Sequence, residues 1–294
     1  MTPPRTPNKS YFIVTSLFLL GIFVFSCSDD SETLDDNTMQ EEQTGEDPSD
    51  DGNNDMGDGS TDDNGNQDDN GNGSNGDNGN SSSNCPNGGS SFFTENNGLV
   101  SVEFENTTFQ GDWELRNDAN DVSGQGYMVW TGQQRLGQPG EGKATFLIEI
   151  GTPGTYQFLW KSSFRLGDNG TEHNDTWLRF PDADDFFGEK DNGSIVYPKG
   201  SGKQPNPEGS SADGWFKIYR SGNDNSFLWQ ARTSDNDAHD IFITFNTAGI
   251  YTMEISARSS FHGIDRFILF ESDLFTRQSA INAADMFSVE NNCD

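Results

Sequence analysis

The sequence predicts an all-β protein, a β-sandwich head carried behind a long acidic segment that does not fold. Three observations point to it. Short runs with a period of two recur through the last two thirds of the chain, bounded by Gly, Asn, Asp and Pro clusters, which is the pattern of strands with one buried face. Helical periodicity is nearly absent from the same region. Residues 28–84, by contrast, are almost wholly Asp, Asn, Gly, Ser, Glu, Gln and Thr, with 18 acidic residues, no Lys or Arg and no aromatic ring. Such a stretch buries too little apolar surface to offset its ordering entropy.

The chain divides into residues 1–26, 27–84 and 85–294. Residues 1–26 read as a lipoprotein signal peptide. Arg5 and Lys9 precede an uncharged apolar block from Tyr11 to Phe25, about the length of a signal-peptide core and short for a membrane span. Ser26-Cys27 closes it and resembles a bacterial lipobox, with Phe25 where a smaller residue is usual. Cleavage before Cys27 would free a thiol for diacylglycerol and an amine for a third acyl chain. At roughly 0.8 kcal/mol per buried CH₂, two or three chains anchor a protein durably. The alternative is an ordinary secretory leader with an incidental cysteine. Ser28-Asp29-Asp30 resembles the acidic signal that sends lipoproteins to the outer face of the outer membrane. The expected location is therefore the outer membrane, lipid-anchored and cell-surface exposed.

Residues 27–84 hold the lipidated Cys27 and a disordered linker spanning roughly 40 Å on average. Its Asp-Asn-Gly-Asn repeats at 63–66, 69–72 and 77–80 lack the apolar positions that stacked calcium-binding repeats need. The leader carries +2, the linker −18 and residues 85–294, with 30 acidic and 15 basic residues, −15 of the −31 net charge. That balance argues against nucleic acid as a partner, and against any membrane contact other than the lipid anchor. Cys85 and Cys293 flank the head, and in an oxidising compartment a disulfide between them is expected. A loop that long gives roughly 5 kcal/mol as an upper figure. Two free thiols on frayed ends are the alternative.

Strands are expected at Leu99–Glu105, Gly126–Thr131, Lys143–Ile150, Tyr156–Lys161, Asp175–Phe180, Trp215–Tyr219, Phe227–Arg232, Asp240–Phe245, Tyr251–Arg258 and Ile264–Glu271. Around ten strands imply a sandwich. Arg277–Met286 alone has a weak helical pattern. Phe180–Gly214, rich in Gly, Pro and Asp, reads as a long ordered surface loop, of a length uncommon without a function.

Catalytic signals are sparse. The chain has no Gly-x-Ser-x-Gly elbow, no phosphate loop and no Cys–His cluster with zinc spacing. It also lacks the tight acidic and Gln-x-His motifs of jelly-roll hydrolases and lyases. Its three histidines, His173, His239 and His262, lie near acidic residues or turns. Each suits a general base or an ordinary surface hydrogen bond. Glu103 and Glu105 are two apart on one expected strand, so both point to one face, where a cation between them or plain solvation would relieve their repulsion. Asp235, Asp237 and Asp240 form a second acidic loop.

Val102-Glu-Phe-Glu-Asn106, Gly124-Gln-Gly-Tyr-Met-Val-Trp130, Gly249-Ile-Tyr-Thr-Met-Glu-Ile255 and Gly263-Ile-Asp-Arg266 occur in this order. Together they resemble the carbohydrate-binding modules of families 6 and 35, over about residues 99–271. The resemblance implies a β-jelly-roll with a structural calcium, Glu103, Glu105 and Asp265 matching its ligand positions with a carbonyl near Val122–Gly124. It also implies sugar held by loops at one end of the sandwich or on its concave face. Tyr127 matches the aromatic after Gly-x-Gly, whereas Gly263 stands where the family often has Asn. Stacking and polar candidates are Tyr127, Trp130, Trp177, Trp229, His173 and His262, joined by Arg179 and Arg232 in two crowded polar segments. Trp130, Trp177, Trp215 and Trp229 suit a sandwich core equally well. Arg165 and Lys161 add charge for an acidic polysaccharide. The expected function is non-catalytic binding of an extracellular polysaccharide or oligosaccharide, beside outer-membrane transport or degrading proteins. A lyase or hydrolase on the same fold and a surface adhesin are the alternatives.

Overall fold

The computed structural model describes residues 91–207 and 210–293. The expectations for the leader, the linker, Cys27 and Cys85 lie outside the described residues. Cys293 is disulfide-bonded.

The described residues form seventeen strands and one short helix. In chain order they are β1 (Ser91–Thr94), β2 (Leu99–Glu103), β3 (Trp113–Arg116), β4 (Tyr127–Trp130), β5 (Ala144–Ile150), β6 (Gly154–Phe164), β7 (Asp175–Arg179), β8 (Asp185–Glu189), β9 (Ile195–Val196) and β10 (Ser210–Ser211). There follow β11 (Trp215–Tyr219), β12 (Leu228–Trp229), β13 (Arg232–Thr233), β14 (His239–Phe245), β15 (Gly249–Ser256), β16 (His262–Glu271), helix α1 (Arg277–Asn282) and β17 (Val289–Asn292).

All seventeen strands share one hydrogen-bonded sheet. One run of neighbours is β17, β1, β5, β15, β7 and β11. The other starts with β2 and β4 on one edge of β16 and continues through β6, β14, β8 and β9. β13 bonds both β11 and β14, so the sheet curls over from one run to the other. The architecture is all-β and jelly-roll-like.

Alternation sets the core. Tyr156, Phe158 and Trp160 of β6 face Phe146, Ile148, Met253 and Ile255 from the other run, with Phe104 and Phe267 between them. The rings meet at 5–6 Å, mostly edge to face, as at Phe146–Phe267 (5.2 Å) and Phe104–Phe146 (5.7 Å). β16 is buried along its whole length because both of its faces are covered. Phe267 and Leu269 enter this core, and Ile268 and Phe270 pack under α1 with Leu99 and Leu159.

The structure departs from the sequence expectation in having seventeen strands where the sequence predicts about ten, β1, β3, β13 and β17 being additional, and in three further places. The segment expected as one loop over Phe180–Gly214 contains β8, β9 and β10. The strand expected to end at Glu105 stops at Glu103, and Phe104–Asn106 is a 3-10 turn that drops Phe104 into the core. Helix α1 is shorter than the expected Arg277–Met286, opened by a capping box between Thr276 and Ser279.

Candidate functional site

Two adjoining clusters at one end of the curled sheet form the candidate site, and a single loop links them. The first gathers Glu103, Glu105 and Asp265. Glu103 ends β2 and Glu105 sits in the 3-10 turn. Asp265 reaches the cluster because β16 bulges there: its register against β6 shifts between Ile264 and Arg266. A bulge re-aims a side chain and reverses the in–out alternation beyond it.

Ser123 ties these acids together. Its backbone N–H donates to Asp265 Oδ1 at 3.0 Å, and its hydroxyl lies 3.0 Å from Glu103 Oε2 and 3.2 Å from Asp265 Oδ2. The Gln125 N–H donates to Glu105 Oε1 at 2.7 Å. Gly124 between them has φ +58°, and a Cβ there would lie 2.2 Å from Glu105 Oε1, so the Gly is required by conformation and by space. Lys161 Nζ stands 3.3 Å from Asp265 Oδ2.

Burial pushes the Glu103 carboxyl up to about 7; repulsion from Asp265 and Glu105 adds to it, and the Ser123 hydroxyl and Arg266 oppose it. Burial also raises Glu105 and Asp265. Glu103 Oε1 and Glu105 Oε2 are buried without a hydrogen-bond partner. Among the described residues no three His, Cys, Asp or Glu side chains stand close enough together to hold an ion as they are, and the Ser123 hydroxyl occupies the gap between Glu103 and Asp265. The donor set is nonetheless all oxygen, with two orphaned carboxylate oxygens, and suits a hard cation such as calcium.

The loop 117–126 carries this order to the second cluster. The Tyr127 hydroxyl donates to Asp118 Oδ1 at 2.5 Å, the Phe227 N–H donates to Asp121 Oδ2 at 2.7 Å, and Lys161 donates to the Asp121 carbonyl. The Tyr127 and Phe227 rings lie 4.9 Å apart, and the Arg165 guanidinium covers both at 5.3 and 5.5 Å. A Cβ on Gly263 would fall 2.9 Å from both Arg165 Cγ and Tyr127 Cδ2. The side chain absent from position 263 thus leaves the room that Arg165 and Tyr127 fill.

Beside them, Phe261 and His173 are half-buried and both non-Gly residues have left-handed backbones, at φ +60° and +54°. For an aromatic residue this is a strained conformation, of the kind that concentrates at functional sites. It is held in place: the Phe261 N–H donates to the Trp130 carbonyl and its own carbonyl accepts from Arg165 N–H, both at 2.7 Å, while His173 Nδ1 lies 2.7 Å from the Ser260 carbonyl. Arg116 stands over the Phe261 ring at 5.8 Å. The result is a partly exposed ring with the Arg116 guanidinium over it and the His173 imidazole edge-on at 6.0 Å, packed against the Tyr127–Phe227 cluster that carries Arg165 and the exposed Asp118 carboxylate. Sequence reasoning missed Phe261 and Arg116, since no local pattern marks a strained aromatic on a turn.

The other expected ligand-contacting residues scatter. Tyr127 is buried, and only its hydroxyl edge serves the cluster. Trp130 and Trp177 are corrected to structural residues. They are 2 % and 1 % exposed, with their indole N–H groups donating to the Gln133 and Arg135 carbonyls, so neither offers a face to a ligand. His262 is also buried, its ring 2.9 Å from Thr176 Oγ1; burial drives its pKa down to about 3, Asp175 opposing and Arg220 reinforcing, so it stays neutral. Arg179 is engaged by Glu254 at 2.5 Å and stacks on Trp215 at 4.5 Å, away from this end. Trp229 lies under Arg266 at 5.3 Å, and Arg232 pairs with Asp240 at 3.6 Å.

No family model matches the chain, and no curated protein matches it. Among solved structures, it is similar to a Podospora anserina GH26-CBM35 β-(1,4)-mannanase, with 18% identity over 60% of this chain and 28% of that one at a TM-score of 0.35. An Arthrobacter globiformis T6 isomalto-dextranase complexed with panose gives 12% identity over 58% and 23%, at 0.33. A Xyl-CBM35 in complex with a glucuronic acid containing disaccharide gives 13% identity over 58% and 91%, at 0.31. The chain therefore spans about a quarter of the first two proteins and most of the third.

Proposed function

We propose that this protein is the glycan-capturing head of a lipid-anchored surface protein, binding an extracellular polysaccharide or oligosaccharide without bond chemistry. The reading rests on one observation. Phe261 is held in a costly backbone conformation that leaves its ring half exposed, beside Arg116, Arg165, His173 and Asp118. A pyranose offers an apolar C–H face and a rim of hydroxyls. Such a ring takes the face, and the surrounding donors and acceptors take the rim. Arg116 is paired with Glu114 at 2.7 Å and Arg165 with Asp118 at 3.8 Å, so a carboxylate-bearing sugar would have to compete with these acids, and a neutral sugar would not. Calcium among Glu103, Glu105 and Asp265 would fix the loop 117–126 and, through Asp118 and Asp121, the rings. The anchor at Cys27, the disulfide between Cys85 and Cys293, the outer-membrane location and neighbouring transport or degrading proteins belong to the same proposal. Titration calorimetry with neutral and uronate-bearing oligosaccharides tests it. Affinity should fall at least tenfold in Phe261→Ala and in Arg116→Ala; unchanged affinity in both moves the site elsewhere.

A second reading, hydrolysis, has one observation of its own. Ser194 Oγ lies 3.1 Å from His239 Nε2, and His239 Nδ1 lies 2.5 Å from the Asp237 carbonyl. That carbonyl can only accept, so Nδ1 carries the proton and Nε2 is free to take one from Ser194. Release of acetate from acetylated polysaccharide that disappears in Ser194→Ala would favour this reading over simple capture.

A further inference from the structure

A second aromatic surface lies on the outer face of the sheet, in the segment whose sequence reads as one long loop. Phe187 of β8 and Phe242 of β14 are directly opposite in register, half-buried, with centroids 5.7 Å apart and planes within 19° of parallel. Tyr197, just past β9, continues the row 6.3 Å beyond Phe187. On the other side the row meets Gln157, the cross-strand partner of Phe242. Aromatic pairs in the core of this protein mostly meet edge to face, whereas this outward pair is stacked with its planes nearly parallel and turns apolar ring edges outward.

Two residues further along the same strands, on the same face, the surface changes to charge. Glu189 and Asp240 stand opposite each other there. Together with Arg232, Lys190, Asn192 and Ala238 they line a cavity of about 340 Å³. Each cation is already matched: Arg232 with Asp240 at 3.6 Å, Arg277 with Asp240 at 3.6 Å, and Lys190 with Asp237. The Gln157 amide donates to Asp240 Oδ2 at 3.3 Å, so it bridges the rings and the cavity. Asp191 lines the cavity as well, so its wall holds three carboxylates against two cations. This acceptor-rich array, one strand step of about 7 Å from the apolar ring edges, fits the hydroxyls of neighbouring units of a sugar chain. One unit lies on the rings, and the next turns its hydroxyls into the cavity.

We infer that this face is a second glycan-binding surface, separate from the strained end of the sheet, taking an extended chain along β8 and β14. The inference rests on the glycan reading proposed above but uses none of its residues. The test is affinity electrophoresis of the full chain through gels holding a neutral β-glucan, a glucuronoxylan or alginate. The double substitution Phe187→Ala and Phe242→Ala should weaken retardation about three- to tenfold, the effect expected from loss of ring stacking. Phe242→Trp, which keeps a ring and guards against a folding artefact, should retain or strengthen it. Combining the double substitution with Phe261→Ala should multiply the losses. Retardation untouched by the double substitution but removed by Phe261→Ala overturns this second surface alone. Absence of retardation of the unaltered chain in every gel overturns both readings.

Discussion

Substituting Glu103→Gln should stabilise the metal-free protein at alkaline pH, although it removes a charged residue from the candidate metal cluster. Folding raises the Glu103 carboxyl from 4.5 to about 7, chiefly by burial. The folded state therefore holds this proton more tightly than the unfolded chain does. Its contribution to stability is complete below about 4.5 and is lost as the pH rises through about 7. An interval of about 2.5 in pH, at ~1.4 kcal/mol each, gives an upper figure of about 3 kcal/mol. Sharing of the proton with Glu105 and Asp265 and partial contact with water bring it to about 2 kcal/mol. Gln copies the protonated form at every pH, so the variant keeps that stabilisation at pH 8. For a domain of this size that corresponds to roughly 4–8 °C in melting temperature. The assay is thermal unfolding of both proteins in EDTA at pH 5 and pH 8. The variant should melt higher at pH 8 and equally at pH 5. With calcium added at pH 8 the order should reverse, because only the wild type gains from the ion. The comparison between proteins is needed because Glu95 and Glu254 are lowered and pull the overall pH profile the other way. A variant less stable than wild type in EDTA at pH 8 would refute the reasoning.

Three further outcomes are expected. Phe261→Gly relieves a left-handed backbone at φ +60° worth about 1 kcal/mol or more; its melting temperature should hold or rise while glycan affinity drops, and falling stability would show that the ring's packing outweighs its strain. Glu254→Ala should cost about 3 kcal/mol in urea unfolding, since Lys143 and Arg179 both bond this buried carboxylate. Burial pushes the Glu254 carboxyl up, but these two cations outweigh it and hold it below its usual value; its contribution is therefore present above the unfolded value and is lost as the pH falls through the folded one. Phe267→Ala should cost about 3–5 kcal/mol, because the ring meets Phe104, Phe146 and Phe158 within 6.0 Å; a loss under 1 kcal/mol would mean that the core collapses around the gap.

The strands legible in the sequence were β2, β4, β5, β6, β7, β11, β12, β14, β15 and β16, whose alternating or apolar runs lie between turn residues; alternation was plainest in β5, β6 and β15. β8, with the sequence Asp-Phe-Phe-Gly-Glu, was not legible because both of its aromatics look core-bound until one is seen to point outward. β1 and β3 have four residues each, too few to show a period. Glu103, Glu105 and Asp265 stand out in the sequence, but what brings them together does not. A 3-10 turn and a bulge place two of the three, and each depends on the ladder that surrounds it. The aromatic candidates show a different limit. Trp130 and Trp177 carry the same composition signal as a sugar platform, and only packing separates the two roles. Phe261 gains its position from backbone strain that hydrogen bonds to Trp130 and Arg165 impose from distant strands.

The irregularity at Asp265 has a further consequence for how β16 keeps its place. Both sides of this strand are oily, so a slip by one position would still hide every hydrocarbon, and greasiness alone cannot choose between the two settings. Arg266 breaks the tie. In the observed setting its guanidinium reaches out to Asp285 at 2.9 Å; a slip by one position would drive it among Phe104, Phe146 and Trp160. Deleting Asp265 should therefore spare the seam with β6: it takes out the extra residue, keeps Ile264 opposite Ser162 and Arg266 opposite Lys161, and costs only the carboxylate and the kink that aims it.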